Sequence, residues 1–143
     1  LHLSIRRQRQ MCIRDRTQYY RGTSMSFDWK DYISLAEELM NRTEESCNRS
    51  SISRAYYGVF CIARNMKGYQ NYTLKKGENI HWIVINAYKN SNDIAEQNIG
   101  RILDKIRKSR NKADYNENTS INRSLAERVI LSAKNILSIM GIS

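Results

Sequence analysis

Proline is absent from the 143 residues, and glycine occurs only six times. Together these shortages exclude a turn-rich all-β fold and leave long, uninterrupted helices as the expected architecture. Three cysteines (Cys12, Cys47, Cys61) and two histidines are too few and too scattered for a zinc cluster, which needs four convergent ligands. No metal and no cofactor are therefore expected. An odd number of cysteines without paired spacing reads as reduced thiols, the pattern of a cytoplasmic protein. No apolar run approaches the roughly 20 residues that span a bilayer. The length suits one domain with a real core and is short for two.

The positive charge is plentiful but unevenly placed. The formal net charge is +10. Residues 1–24 hold six arginines (Arg6, Arg7, Arg9, Arg14, Arg16, Arg21) against Asp15, a net of +5. This segment has neither the apolar core of a signal peptide nor an amphipathic repeat. It resembles translated sequencing-adaptor sequence, and we read residues 1–24 as a non-native or disordered basic extension, with Met25 as the expected native start. Residues 25–143 hold 18 basic and 13 acidic side chains, again +5. The segment 101–112 alone carries Arg101, Lys105, Arg107, Lys108, Arg110 and Lys112 against Asp104, which is also +5. The net charge of the remaining chain therefore sits in three helical turns. Such a local concentration points to a phosphate-bearing partner.

Hydrophobic periodicity predicts about five helices. Ser26 is the expected cap of the first, with Asp28 in its opening turn; Trp29, Ile33, Ala36 and Met40 form its inner stripe, widened by Tyr32 and Leu39. Asn41-Arg42-Thr43 interrupts the pattern, and Thr43 signals the second start. The second helix repeats Ile52, Ala55, Tyr56, Val59, Ala63 and Met66 at helical spacing, and Tyr57, Phe60 and Cys61 extend the apolar surface toward a second neighbour. Gly68 to Gly77 reads as a loop. A third helix from about Glu78 is expected to bury Ile80, Ile83, Val84 and Ala87. In a fourth, Ala95, Ile99, Ile102, Leu103 and Ile106 point inward, while Arg101, Lys105, Lys108 and Lys112 share another face. Asp114 to Ser120 reads as a polar loop. The last helix, from about Ser120 to Met140, presents Ala126, Val129, Ile130, Ala133, Leu137 and Met140. The fold class is all-α, an antiparallel bundle of about five helices over residues 25–143.

Two segments stand out chemically. One is Arg49-Ser50-Ser51-Ile52-Ser53-Arg54-Ala55-Tyr56-Tyr57-Gly58-Val59-Phe60; the other runs from Asp104 to Arg110-Asn111-Lys112-Ala113-Asp114-Tyr115. In this order the pair resembles the HEPN domain, whose members share a Ser-Arg-Ala-Tyr-Tyr helix and a later Arg-rich helix. The resemblance covers about residues 26–140. It implies a helical bundle that dimerises, bringing two Arg motifs together. It also implies metal-independent ribonuclease activity, in toxins paired with a minimal nucleotidyltransferase antitoxin. The family motif is Arg, four to six residues, then His, commonly with Asn after the Arg. Arg110 and Asn111 match it, whereas Tyr115 stands where His is expected. His81 lies on the third helix, outside the motif.

Cleavage of RNA without a metal needs a base for the 2′-hydroxyl, an acid for the leaving oxygen, and a cation for the charge on phosphorus. Arg110 offers the cation with bidentate geometry, and histidine exchanges protons near neutrality. A tyrosine hydroxyl, with an ordinary pKa of about 10, stands roughly three units above neutrality, a penalty near 4 kcal/mol for a base at pH 7. It still donates a proton or a hydrogen bond.

The candidate catalytic residues are therefore Arg110, Asn111 and Tyr115. The candidate RNA- or phosphate-binding residues are Arg101, Lys105, Arg107, Lys108, Lys112 and Arg54. Each has a plainer role beside it. Arg110 suits an ion pair with Asp104 or Asp114, Arg54 an ion pair inside the bundle, and Tyr115 a packing position with its hydroxyl on a helix end. Tyr56 and Tyr57 suit core and dimer-face aromatics. His81 suits a half-buried polar residue at a helix start. The expected function is that of a HEPN-like protein of a toxin–antitoxin or defence system, engaging RNA or nucleotide phosphate through the 101–115 helix as a weak or degenerate ribonuclease. The alternative is a noncatalytic binding or dimerisation partner of a minimal nucleotidyltransferase. A basic helical protein that binds nucleic acid without sequence preference is the third reading.

Overall fold

The computed structural model describes residues 26–143, so the expectations for residues 1–24 and for Met25 lie outside the described residues. Five helices follow in chain order: α1 Lys30–Met40, α2 Glu45–Met66, α3 Ile80–Lys89, α4 Ile94–Tyr115 and α5 Arg123–Ile139. No strand occurs among the described residues. The all-α class is as the periodicity predicts. Short connections at 41–44, 90–93 and 116–122 turn successive helices back against one another. Among the described residues, no helix is long and apolar enough to cross a membrane.

α2 is the axis of the bundle and touches the other four helices. Its expected stripe is buried from Ile52 through Ala55, Tyr56, Val59 and Ala63, and Phe60 and Cys61 are buried as well. Gly58 has a steric reason to lack a side chain. A Cβ there would lie 2.9 Å from Ile33 Cγ1 and 3.0 Å from the Trp29 carbonyl oxygen, so glycine lets α1 lie close against α2. Gly100 does the same between α3 and α4, where a Cβ would meet the Lys89 backbone nitrogen at 2.7 Å. Because that obstacle is backbone, Gly100→Ala must push the hairpin apart. The overpacking penalty exceeds the ~1 kcal/mol gain in helix propensity. We expect a net loss of about 1 kcal/mol or more, read as a lower denaturation midpoint.

Several boundaries and faces differ from the expectation. At the first helix the side chain that bonds the opening turn is Asp28, whose Oδ1 accepts from Lys30 N at 3.0 Å, while Trp29 occupies the cap position. Glu44, not Thr43, precedes α2. Asn79 and Asn122 accept the first backbone N–H groups of α3 and α5, shifting both starts past Glu78 and Ser120. In α3 the buried set is Val84, Ile85 and Tyr88 rather than Ile80, Ile83 and Ala87. The Tyr88 hydroxyl bonds the Ala63 carbonyl at 2.9 Å, which rotates the inner face. In α4, Ala95 is exposed and Ile102 half-buried, whereas Arg110 and Ala113 are buried. Asp114 and Tyr115 belong to α4 and not to a loop. Ile121 and Ile142, outside the helices, complete the core.

Candidate functional site

The two sequence segments meet where the first half of α2 packs against the second half of α4. Arg49, Ser53, Tyr56 and Phe60 follow one another at three- and four-residue steps along α2, with Tyr57 one turn from Ser53, and so face a common side. Opposite them, Arg110 and Asp114 are one turn apart on α4. Arg110 Nη1 lies 3.6 Å from Asp114 Oδ2. The same carboxylate oxygen accepts from Ser53 Oγ at 3.2 Å, and Ser53 Oγ accepts in turn from Arg54 Nη2 at 3.4 Å. Ser53 thus links Arg54 to the Arg110–Asp114 pair.

Aromatic rings fill the space between these cations. The Arg110 guanidinium carbon stands 5.2 Å from the Tyr56 ring centre, 5.0 Å from Tyr57 and 6.0 Å from Tyr115. The Arg54 guanidinium carbon stands 4.6 Å from Tyr32 and 5.5 Å from Tyr57. Two cations therefore use the Tyr57 ring, an arrangement that ring quadrupoles tolerate in a partly desolvated site. Tyr56 is fully buried, and burial drives its phenol far above the ordinary range. Its hydroxyl lies 2.7 Å from His81 Nδ1. The His81 ring also stacks on Phe60 at 4.3 Å and meets Tyr57 edge-on at 5.8 Å. Burial, then the charges of Arg110 and Arg107, hold the His81 imidazole down at about 4, so it is neutral at pH 7.

The predicted site residues divide into two groups. Arg54 and Arg110 lie against the tyrosines, and the charge of the half-buried Arg107 acts on Tyr56 and His81. Arg101, Lys105, Lys108 and Lys112 are exposed, on the side of α4 facing away from its buried stripe. In that row Arg101 bonds Asn98 and Lys108 lies 3.7 Å from Asp104, whose stronger contact is Lys89 at 2.8 Å. Arg110 is not an exposed cation, being only 5% exposed. Its ion-pair partner is Asp114 rather than Asp104. Arg54 makes no ion pair among the described residues, in place of the expected bundle-internal one; it rests on Tyr32 and Tyr57. Asn111 is half-buried. Tyr115 is 76% exposed and is not the packing residue expected. Beside it an open groove of about 660 Å³ is lined by Glu45, Ser46, Arg49, Asp114, Tyr115 and Glu117. Its three carboxylates disfavour the approach of phosphate from the Tyr115 end.

Charge compensation inside the cluster is incomplete. Arg54, Arg107 and Arg110 have Asp114 as the one carboxylate within ion-pair distance of any of them among the described residues. The Nε atoms of Arg107 and Arg110 are buried and have no hydrogen-bond partner among those residues. Half-buried cations in this state are costly unless an anion joins them.

A family model for the HEPN domain matches residues 29–142. The chain belongs to the HEPN domain family. Comparison with curated proteins and with solved structures gives no match in either. HEPN domains are in general associated with nucleotide- and RNA-related functions, and in this HEPN domain the three-arginine cluster is built by the two segments that carried the resemblance. Asp114 pairs with Arg110, one of the two partners the sequence offered, and His81 is half-buried at the start of α3 as expected. The role of Ser53 was passed over, although it lies one turn from Arg49. The approach of His81 to the tyrosines carried no sequence signal, because only the seating of α3 on α2 produces it.

Proposed function

We propose that this HEPN domain protein binds RNA or nucleotide phosphate on α4. In this reading Arg54 and Arg107 meet phosphate oxygens, and Arg110 contributes its charge from beneath. The exposed row of Arg101, Lys105, Lys108 and Lys112 draws the polyanion toward the domain. The observation that carries the proposal is the trio of arginines served by one carboxylate. Guanidinium groups match phosphate geometry, and an under-compensated cluster favours an anion over solvent. The setting we propose is a cytoplasmic toxin–antitoxin or defence system, with a homodimer of this chain and a minimal nucleotidyltransferase as partner.

Binding of oligouridylate by the full chain, followed across a salt series, tests the proposal. Affinity should fall linearly on logarithmic axes, and Lys105→Gln and Lys112→Gln should each flatten the slope by about 0.7. An affinity indifferent to salt would remove the proposal.

Binding without cleavage is the second reading, and one observation favours it. Arg110 is buried against Tyr56 and Tyr57 while Tyr115 stands in place of the motif histidine. Incubation of RNA with the protein in the presence of chelator separates the two: cleavage products that disappear in Arg110→Met identify a metal-independent ribonuclease, and intact RNA identifies a binding module.

A further inference from the structure

Tyr115 leaves the motif without a residue that exchanges protons near neutrality, yet a histidine reaches the same cluster from another helix. His81 opens α3, where Asn79 Oδ1 accepts its backbone N–H at 2.9 Å and fixes the start of the helix. Its ring is wedged against Phe60 at 4.3 Å and Tyr56 at 5.6 Å. Tyr56 is also the ring over which Arg110 lies. The Tyr56 hydroxyl takes up Nδ1 and fixes the ring's orientation, so Nε2 remains as the nitrogen available to a ligand. The groups that face the imidazole are Tyr56 and Tyr57 from α2 and Arg107 and Arg110 from α4. Glu78, the nearest acid in the chain, is turned to Tyr72 and the Lys75 backbone. The imidazole therefore faces two cations and no carboxylate among the described residues.

We propose that His81 is the proton-exchanging contact of this site, where a phosphate group held by Arg107 hydrogen-bonds to the imidazole and favours its protonated form. The inference rests on the phosphate reading above. Both side chains are half-buried, so neither is sealed from solvent, and the Arg107 Nε has no hydrogen-bond partner among the described residues. The physical driving force is reciprocal. Empty, the site disfavours a proton on His81, first through burial and then through repulsion by the charges of Arg110 and Arg107. A phosphate anion cancels that repulsion and offers an oxygen to the new N–H, so the ligand and the proton each favour the other. His81 then supplies by tertiary contact the proton-transfer function for which Tyr115 is poorly suited.

The test is an NMR titration of the His81 ring in the full chain, with the resonance assigned by its loss in His81→Gln. Without ligand the midpoint should lie at about 4. With saturating oligouridylate it should rise by about one pH unit or more. In parallel, oligouridylate should bind tighter by about threefold or more at roughly pH 4.5 than at pH 7, and His81→Gln should lose most of that gain. Arg107→Gln supplies a second arm should His81→Gln fold poorly. There the free imidazole should titrate higher, because one repelling charge is gone, and ligand should add little further. Saturable binding that leaves the His81 midpoint unmoved would overturn the assignment while sparing the phosphate reading. Full retention of the acid-side gain in His81→Gln would do the same. Absence of saturable oligouridylate binding at every pH would overturn the phosphate reading and the His81 assignment with it.

Discussion

Arg49→Ala is expected to lower the unfolding free energy by about 3 kcal/mol, the largest loss from any single polar side chain in the domain. The reason lies at the carboxyl end of α4, where helix geometry leaves carbonyl groups without intrahelical partners. Arg49 Nη1 donates to the carbonyls of Ala113 and Asn116 at 2.9 Å each and to that of Lys112 at 3.4 Å, while Nη2 donates to Thr119. A cation at this end also opposes the negative end of the helix dipole. Glu45 steadies the guanidinium from one turn earlier, at 3.1–3.2 Å. Glu45 Oε1 also accepts from Ile121 N at 3.0 Å, and Asn48 Nδ2 donates to the Ile121 carbonyl at 3.3 Å. The start of α2 thus staples the whole 113–121 turn, with the Ile121 side chain buried beneath it. Charge-assisted hydrogen bonds are worth roughly 1.5–3 kcal/mol each and do not add fully, so a total near 3 kcal/mol is expected. Thermal unfolding should show a midpoint lower by roughly 10 °C. Arg49→Lys should recover only a minority of the loss, because one ammonium cannot reproduce the guanidinium fork. A variant with unchanged stability would show that the staple is incidental.

Arg110→Met should separate stability from function. The substitution keeps an unbranched side chain against Tyr56 and Tyr57 but removes a buried charge that is paired at 3.6 Å and has an unpartnered Nε. Replacing incompletely compensated buried ions with apolar groups is often neutral or stabilising. Asp114 keeps its Ser53 hydrogen bond and remains partly open to solvent. The melting temperature should therefore be no lower than that of the parent. Phosphate binding should move the other way. A unit charge about 7 Å behind a phosphate is worth roughly 2 kcal/mol at an effective dielectric constant near 20. Oligouridylate affinity should accordingly fall by about tenfold or more. A variant that loses stability and keeps its affinity would make Arg110 a structural residue and would move the binding surface to the exposed row on α4.

The helices of this domain were largely legible because their amphipathic patterns are local. The stripe from Ile52 to Ala63 on α2 and that from Ala126 to Met140 on α5 repeat at helical spacing and are buried as read. α3 was placed in the wrong rotation because its ten residues are apolar on several sides. Burial alone could not choose between Ile83 and Ile85, and the Tyr88 hydroxyl bond to Ala63 did. The end of α4 was misjudged because the stretch from Asp114 to Ser120 reads as polar and loop-like, whereas Arg49 satisfies the carbonyls that let the helix continue to Tyr115.

The all-helical class, the concentration of positive charge in 101–112, and the pairing of an Arg-Ala-Tyr-Tyr helix with a later Arg-Asn motif are all readable in the unfolded chain. Each of these depends on residue identity and short-range spacing, which a linear chain displays directly. The row of Arg101, Lys105, Lys108 and Lys112 was legible as a separate face, but packing alone placed Arg110 in shelter, joined to Arg54 through Tyr57. Packing also decided that the histidine of the site comes from α3, twenty-nine residues before Arg110. Burial, ion pairing and the field at an imidazole depend on distances through space, and those exist only once α2, α3 and α4 have packed.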